Sequence, residues 1–187
     1  MKKLLITGGS KGLGKEIVKK LQNEYEPGFG GHSEQKYIIR DVSRTTGYDL
    51  TKEIPEFDCD ILILNAGIWK NDWRLNYEVP KEMAERAAKG TLVVFILSNA
   101  AYQSFGNDDY TAAKSGLLHY VRRKQREGFP FITISPGTIN TNFWEAADVD
   151  HRKKGCMKPE VVAELVVQAI KAYENKALIR ELIVIPI

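Results

Sequence analysis

The sequence predicts an α/β fold, a doubly wound parallel sheet of about six strands with helices on both faces. Three observations predict it. Short runs that are apolar throughout, as in strands buried on both faces, alternate along the chain with amphipathic stretches at helical spacing. Small-residue turns follow the apolar runs, at the edge where such sheets bind ligands. Right-handed crossovers and a switch point beside the first strand predict the spatial order 2-1-3-4-5-6.

Apolar runs and helical spacing define the individual elements. The predicted strands are Leu4–Ile6, Tyr37–Val42, Asp60–Leu64, Thr91–Leu97, Phe131–Ile134 and Leu182–Ile185. The predicted helices are Leu13–Tyr25, Pro80–Lys89, Tyr110–Glu127 and one that begins at Pro159. Ile68–Tyr77 has no clear period and is predicted as a loop. The interval between the second strand and Asp49 is too short for a helical crossover, so no full helix is expected there.

Length and composition indicate one globular domain over residues 1–187. The chain is 43% hydrophobic and 27% charged, and its net charge of +3 is too small and dispersed to indicate a nucleic-acid-binding protein. No apolar run approaches the roughly 18 residues of a membrane span. Cys59 and Cys156 form no metal or disulfide pattern, which favours reduced thiols and a cytoplasmic protein. No partner spacing predicts a metal site at the histidines, which are His32, His119 and His151.

A glycine-rich turn separates the first strand from the first helix. The residues of this turn are Gly8, Gly9, Ser10, Lys11, Gly12, Leu13 and Gly14. Glycines let the backbone approach a pyrophosphate closely, and the helix N-terminus offers unpaired N–H groups and the positive end of a dipole. Glycine also serves ordinary tight turns, so the turn taken alone leaves that alternative open. Its position between a strand and a helix favours a phosphate-binding site.

Tyr110 and Lys114 lie four residues apart at the start of a predicted helix and therefore project from the same face. The ordinary tyrosine pKa is about 10, and a nearby ammonium is expected to lower it toward neutrality. Ser98 lies at the end of a buried strand, where its hydroxyl can hydrogen-bond a substrate carbonyl oxygen. Ser104 is an alternative to Ser98. A chance Tyr–Lys spacing and a serine that only bonds backbone are the structural alternatives.

Together these motifs resemble those of the short-chain dehydrogenase/reductase family. The motifs that carry the resemblance are Thr7–Gly14, Asn65–Gly67, Ser98, Tyr110-x-x-x-Lys114 and Ser135–Gly137. The resemblance runs from the first strand to about Thr141, and Pro159–Val161 fits the family's late helix. It implies a Rossmann fold and an NAD(P)(H)-dependent oxidoreductase. It also implies that Tyr110 is the acid/base, that Lys114 lowers its pKa and binds the nicotinamide ribose, and that Ser98 orients the carbonyl.

The resemblance also implies a cofactor site at the carboxyl edge of the sheet. Its residues would be Gly8, Ser10, Lys11, Gly12, Leu13, Gly14, Ser43, Arg44, Asp49, Leu50, Asn65, Ala66, Gly67, Tyr110, Lys114, Pro136, Gly137, Thr138, Ile139 and Thr141. An acidic residue after the second strand suits the ribose 2′-hydroxyl of NAD, whereas a cation suits the 2′-phosphate of NADP. Arg44, with Lys11 nearby, favours NADP(H) over NAD(H). Asp41 is an acidic competitor, but it falls inside the predicted strand.

The chain departs from the family pattern in two places. The helix and strand that normally precede the Asp-Leu motif at residues 49–50 have no room here. The segment between the third and fourth strands is also short, where the family has a long helix with a catalytic asparagine. Asn76 is the nearest candidate for that asparagine and Asn71 is another, although Pro80 argues against a long helix through Asn76. Much of the family's pairing surface is trimmed, which leaves room for a homodimer and argues against a tetramer.

The predicted substrate loop spans residues 142–157. Its large apolar side chains, which can cover an apolar substrate, are Phe143, Trp144 and Met157. Trp69 and Trp73 can form the opposite wall. Ordinary packing is the alternative for each of these side chains. The expected reaction is hydride transfer between NADP(H) and a small carbonyl or alcohol substrate.

Two other functions compete with this one. An NADP(H)-binding sensor or regulatory protein of the same fold, without turnover, fits the missing helical region, whereas the intact Ser98, Tyr110 and Lys114 argue against it. An epimerase or dehydratase that acts on a nucleotide sugar usually needs a larger C-terminal substrate domain, for which this sequence has no room.

Overall fold

The computed structural model describes residues 1–27, 33–103, 107–146 and 155–187. The strands in these ranges are β1 (Lys2–Thr7), β2 (Tyr25–Pro27), β3 (Ser33–Gln35), β4 (Tyr37–Val42), β5 (Ile61–Leu64), β6 (Leu92–Ile96), β7 (Phe131–Pro136) and β8 (Glu181–Val184). The α-helices there are α1 (Gly12–Gln22), α2 (Val79–Arg86), α3 (Asp108–Arg126) and α4 (Pro159–Glu174). None of these helices combines the length and the apolar character that a membrane crossing requires.

Six strands of the described residues form one parallel sheet in the order β4-β1-β5-β6-β7-β8. Counted along the chain without the small β2–β3 ribbon, this is the predicted order 2-1-3-4-5-6, so the predicted fold class is confirmed. Leu4 of β1 lies opposite Ile39 of β4 on one side and Ile61 of β5 on the other. The chain therefore moves from β1 to β4 and then crosses to the other side of β1, which opens a crevice at the carboxyl ends of these strands.

Both faces of the sheet are buried because successive side chains of a strand point to opposite faces. On one face, Leu4 and Ile6 pack in a cluster with Ile17 of α1 and Val166 of α4. On the other face, Leu5 packs in a second cluster that includes residues of α2 and α3. With both faces covered in this way, ligand access to the sheet is through its carboxyl edge.

A two-stranded ribbon that was not predicted lies between α1 and β4. The first helix ends at Gln22 rather than near Tyr25, and Tyr25–Pro27 instead pairs antiparallel with Ser33–Gln35. Each ribbon strand is only three residues long, so neither shows a period that a sequence pattern could reveal.

The crossover from β4 to β5 contains no α-helix, as predicted. Arg44–Thr46 forms one 3₁₀ turn, which ends at Gly47 with φ of 91°. Leu50 and Ile54 then pack into the core, with exposures of 5% and 7%. This short connection keeps the turn after β4 beside the glycine turn after β1.

The prediction of a loop over residues 68–77 is wrong at its C-terminal end. Arg74–Glu78 forms a π-helical turn that runs directly into α2, and the Val79 N–H donates to the Arg74 carbonyl oxygen. Pro80 lies in the first turn of α2, where a missing N–H costs little. The proline therefore does not prevent a helical segment through Asn76.

The start of α1 packs directly on the end of β1. A Cβ atom at Gly14 would lie 2.0 Å from the Gly8 carbonyl oxygen and 2.6 Å from Asn65 Nδ2. Only glycine fits at this position without movement of the backbone.

We expect Gly14→Ala to lower the free energy of unfolding by about 3 kcal/mol, because backbone atoms must move to admit the methyl group. Urea unfolding followed by circular dichroism measures this change. Gly116→Ala in α3 is the matched control, because a Cβ there would meet mainly the Tyr77 ring, at 3.2 Å, and that side chain can shift. Equal stability of the two variants would contradict the close packing of α1 on β1.

Candidate functional site

The carboxyl ends of β1, β4, β5, β6 and β7 open into one cleft of about 570 Å³. All the residues of the predicted cofactor site except Gly14 line this cleft, and so does Ser98, whereas Asn71 and Asn76, the candidates for the catalytic asparagine, do not. Gly14 contributes close packing between α1 and β1, which differs from its expected place in the cofactor site.

The glycine turn after β1 has a backbone shape that L side chains rarely adopt. Gly8 and Gly12 have φ angles of 68° and 52°. The Gly9 N–H donates to Asp41 Oδ1 at 2.7 Å, and a Cβ atom at Gly9 would come within 2.9 Å of that oxygen. The result is a concave stretch of backbone at the N-terminus of α1, which suits a phosphate group.

Thr7 and Asn65 hold this turn against the end of β5. The Thr7 hydroxyl oxygen accepts hydrogen bonds from the backbone N–H groups of Asn65 and Ala66, both at 3.0 Å. Asn65 Nδ2 donates to the carbonyl oxygens of Gly8, at 2.9 Å, and Thr7, at 3.2 Å. These four bonds fix the two small-residue turns relative to each other.

Asp41, at the end of β4, is engaged within the protein. Its Oδ1 accepts the hydrogen bond of the glycine turn described above, and its Oδ2 accepts one from the Ser43 hydroxyl at 3.0 Å. Ser43 Oγ in turn lies 3.0 Å from Ser10 Oγ. The Arg44 side chain, by contrast, is 71% exposed and lies 4.0 Å from Asp49. The acidic competitor thus anchors the turn, while the cation is available at the rim of the cleft.

Ser98, Tyr110 and Lys114 lie together where β6 ends and α3 begins. Ser98 Oγ accepts a hydrogen bond from the Ala100 N–H at 3.1 Å, so the hydroxyl also caps the short turn after β6. Lys114 Nζ lies 5.6 Å from the centre of the Tyr110 ring. Tyr110 and Lys114 are each only 4% exposed. One ligand can therefore contact all three side chains.

Burial dominates the acid–base properties of these side chains. It raises the pKa of Tyr110 to about 12, and hydrogen bonding with Ser98 acts in the opposite direction. It lowers the pKa of Lys114 to about 8. The expectation that Lys114 brings the Tyr110 pKa toward neutrality is wrong for this structure, because burial raises that pKa and the opposing effect comes from Ser98. Tyr110 therefore carries its proton at pH 7.

Asn76 lies behind the cleft, next to these residues. It is 1% exposed, and it accepts a hydrogen bond from the Ile68 N–H at 3.1 Å and donates to the Ile68 carbonyl oxygen at 2.9 Å. A Cβ atom at Gly67 would lie 3.3 Å from Asn76 Oδ1 and 3.5 Å from Lys114 Nζ. Asn76 therefore positions the backbone beside Lys114, whereas Asn71 is exposed.

Four aromatic side chains form a cluster at the same place, which we call the aromatic enclosure: Trp69, Tyr110, Phe143 and Trp144. The Trp69 ring centre lies 5.1 Å from those of Tyr110 and Trp144. The Phe143 ring centre lies 6.0 Å from that of Tyr110 and 5.3 Å from that of Trp144. Trp69, which was predicted on one side of the substrate site, therefore contacts Tyr110 together with Phe143 of the predicted substrate loop. Trp144 of the same loop contacts Trp69.

Two of the predicted apolar wall residues lie elsewhere. Trp73 is 47% exposed and stacks on Tyr77, with ring centres 4.7 Å apart, and it does not line the cleft. Met157 bridges to Ile139 through its backbone and packs against the core on the α1 and α4 face. Trp73 directly precedes the π-helical turn at Arg74–Glu78.

Sequence reasoning missed Asn107 and Tyr48. The Asn107 side chain caps α3 by accepting from the Tyr110 N–H at 3.0 Å, and it donates to the Trp69 carbonyl oxygen at 2.6 Å. An asparagine just before a helix that begins with acidic residues is a helix-capping signal that could have identified it. Tyr48 lines the cleft four residues after Arg44, and no sequence pattern indicated this.

Some sequence predictions concern residues outside the described ranges. Ser104, the alternative to Ser98, is one of them, as are His32, His151 and half of the predicted substrate loop, residues 147–154. In the described part of the chain, no group of three or more histidine, cysteine or carboxylate side chains could hold a metal ion.

Known proteins resemble this chain in sequence and in structure, although no protein-family model matches it. The 3-oxoacyl-[acyl-carrier-protein] reductase FabG of Buchnera aphidicola subsp. Schizaphis graminum is 29% identical over 199 residues, which cover 84% of this chain and 81% of that protein. The alcohol dehydrogenase of Thermococcus sibiricus, solved with 5-hydroxy-NADP, has a TM-score of 0.77 and 19% identity over 98% of this chain and 96% of its own. A short-chain dehydrogenase of Sphingobium yanoikuyae, solved with NADPH, has a TM-score of 0.71 and 17% identity over 99% and 87% of the two chains.

The chain is thus similar in sequence to a 3-oxoacyl reductase and shares the fold of these dehydrogenases. At 187 residues the chain is compact. The 3₁₀ turn at Arg44–Thr46 and the irregular segment after it lie where the short-chain dehydrogenase/reductase pattern places a helix and a strand, between β4 and the Asp-Leu motif.

The buried ammonium of Lys114 predicts a specific pH dependence of stability. Because its pKa falls from 10.5 to about 8 on folding, the unfolded chain binds this proton more tightly. The resulting penalty, about 3 kcal/mol, is complete below pH 8 and disappears as the pH rises toward 10.5.

We therefore expect Lys114→Met to be more stable than the wild type at pH 7, and we expect this advantage to shrink at pH 10. Urea unfolding of both proteins at the two pH values measures the difference. Lys15→Met, at an exposed position of α1, is the control and should show no such pH-dependent difference. A Lys114→Met protein that is less stable at pH 7 would contradict the assignment of a buried charge.

Proposed function

We propose that this protein is an NADP(H)-dependent oxidoreductase that transfers a hydride between the nicotinamide and a small carbonyl or alcohol substrate. The observation that carries the proposal is the juxtaposition of Ser98 with the buried Tyr110 and Lys114 in a cleft that residues of the glycine turn also line. The sequence relative is named for the reduction of a 3-oxoacyl group, and one structural neighbour is named an alcohol dehydrogenase. Both names describe chemistry at a C=O or CH–OH group.

The residues of the cleft fit a dinucleotide. The backbone of Gly8, Gly9 and Gly12 forms the concave surface for the pyrophosphate, and a Cβ atom at Gly12 would approach Thr141 Cβ within 3.4 Å and narrow this surface. Arg44 and Lys11 are exposed cations at the rim, where they complement a 2′-phosphate. The two neighbours described above were solved with NADPH and with an NADP derivative, which agrees with this preference.

The bound nucleotide supplies the hydride chemistry, and the protein supplies orientation and proton transfer. In reduction, Tyr110 is the acid, because its high pKa keeps the proton on the hydroxyl until the substrate oxygen becomes basic. Ser98 donates a hydrogen bond to the same oxygen and stabilises the developing negative charge. The Lys114 ammonium stabilises the phenolate that remains after proton transfer.

Tyr110→Phe is expected to lower kcat/KM for carbonyl reduction by at least about a thousandfold, because the proton donor is removed. The decrease of NADPH absorbance with small aldehydes and ketones measures turnover, and fluorescence titration measures the Kd of NADPH. Tyr120→Phe is the matched control, since it removes a buried hydroxyl from the same helix outside the cleft. Unchanged NADPH binding with loss of turnover is the expected outcome.

Turnover that survives in Tyr110→Phe would overturn the catalytic role of Tyr110. NADPH binding by the wild type without turnover of any carbonyl substrate would favour the sensor or regulatory protein instead.

We expect Arg44→Ala to raise the Kd of NADPH about tenfold or more, because one charge-assisted contact to the 2′-phosphate is lost. The Kd of NADH should change less than twofold. Isothermal titration calorimetry with each nucleotide measures both values, and Lys15→Ala, an exposed cation outside the cleft, is the control. Equal weakening of the two nucleotides would refute the preference for NADP(H).

A further inference from the structure

The aromatic enclosure covers Tyr110. The ring centres of Trp69 and Phe143 lie 5.1 and 6.0 Å from that of Tyr110, and Tyr110 is only 4% exposed. A substrate whose carbonyl reaches the Tyr110 hydroxyl lies beside these rings, because Trp69, Phe143 and Trp144 line the same cleft. The rest of the substrate can therefore pack against them.

The enclosure is assembled from three separate parts of the chain that the fold holds in place. Trp69 follows β5, and its carbonyl oxygen accepts the 2.6 Å hydrogen bond of Asn107. Trp144 lies in the 3₁₀ turn after β7, and its Nε1–H donates to the Ile139 carbonyl oxygen at 2.9 Å. The rings are thus positioned by backbone hydrogen bonds.

Among the described residues, few charged side chains line this end of the cleft. Four charged side chains line the cleft within the described residues. Lys11 lies in the glycine turn, and Arg44 and Asp49 lie in the β4–β5 connection. Lys114 lies in α3, the helix that also carries Tyr110 of the enclosure. The described residues at this end of the cleft offer no carboxylate or exposed cation to replace the hydration that a charged substrate would lose, so these residues favour an uncharged substrate.

Contact geometry separates flat substrates from saturated ones. Tilted and edge-on pairs of aromatic rings gain free energy beyond simple burial, worth about two- to tenfold in an equilibrium constant for each pair. A flat aromatic group that packs against the rings lining the cleft makes such pairs and gains this free energy. A puckered saturated ring of similar size recovers only the burial.

We propose that the enclosure selects uncharged aryl aldehydes and aryl ketones, or the corresponding benzylic alcohols, whose ring packs among Trp69, Phe143 and Trp144. This inference rests on the proposed function and specifies its substrate class. In reduction, the carbonyl carbon gains the hydride and the oxygen gains the proton of Tyr110, while the cofactor is oxidised from NADPH to NADP⁺. The tyrosine then regains its proton from solvent.

Benzaldehyde and cyclohexanecarbaldehyde test the proposal, because they share a carbon skeleton and differ in ring flatness. The ratio of their kcat/KM values with NADPH is compared among the wild type, Trp69→Leu and Trp144→Leu, which cancels the intrinsic reactivity of each aldehyde. We expect the ratio to fall at least about fivefold in both variants, mainly through KM for benzaldehyde. Trp73→Leu, outside the cleft, is the matched control and should keep the wild-type ratio.

A binding measurement keeps the inference separate from the proposed function. The Kd values of benzyl alcohol and cyclohexylmethanol are measured by calorimetry with the NADP⁺-loaded protein, which requires no turnover. We expect the benzyl alcohol preference of the wild type to be lost in Trp69→Leu. Phe143→Leu provides a second variant if a tryptophan variant fails to fold by circular dichroism.

The outcomes are distinguishable. Turnover with the same aldehyde ratio in wild type and enclosure variants overturns the aromatic selectivity and leaves the oxidoreductase intact. No turnover of either aldehyde, with a benzyl alcohol preference that depends on Trp69, contradicts the proposed reaction and supports the aromatic site. Equal Kd values for the two alcohols in the wild type overturn the aromatic site.

Discussion

The contact between the glycine turn and its two neighbouring strands is the constraint on which the rest of the site depends. Gly14 lets α1 approach the Gly8 carbonyl oxygen, Asn65 ties the turn to β5, and Asp41 ties it to β4 through the Gly9 N–H. A side chain in this contact would separate α1 from the sheet and flatten the concave backbone. The same bonds place the residues after β4 and β5 around one cleft, so the geometry of the proposed nucleotide site follows from the packing of one turn.

The shortened crossover between β4 and β5 changes what surrounds that cleft. This connection contains no helix, and the buried side chains of Leu50 and Ile54 cover the sheet there instead. The chain returns to the sheet soon after Arg44, which brings Tyr48 into the cleft wall. The apolar side chains of an irregular segment can cover the face of a parallel sheet as a helix does. A shorter chain can therefore still bury its core and leave the carboxyl edge of the sheet open to a ligand.

Much of the fold could be predicted because the local sequence pattern of each strand agrees with the general rules for the order of strands in a parallel sheet. The strand Tyr37–Val42 is found where its apolar run predicted it, and the strand order followed from handedness and the first switch point. The ribbon at Tyr25–Pro27 could not be predicted, because its strands exist only through their pairing. The π-helical turn at Arg74–Glu78 was not predicted because Pro80 argued against a helix through this segment. A proline breaks a helix in its interior but is tolerated in its first turn, and the sequence did not show where α2 begins.

Prediction of the site was also limited to features that do not depend on tertiary contacts. Motifs placed Ser98, Tyr110 and Lys114 together, since residues after parallel strands meet at one edge of the sheet. Their pKa values could not be read from the sequence, because burial depends on which aromatic rings cover them. Trp69 contacts Tyr110 whereas Trp73 packs against Tyr77, and the sequence contains no signal that separates the two. The buried Lys114 ammonium lowers stability at neutral pH, whereas Tyr110 is uncharged there in both the folded and the unfolded chain. Ionisable groups whose pKa values are shifted by burial in a cleft are typical of functional sites, which agrees with the roles that we propose for these two residues.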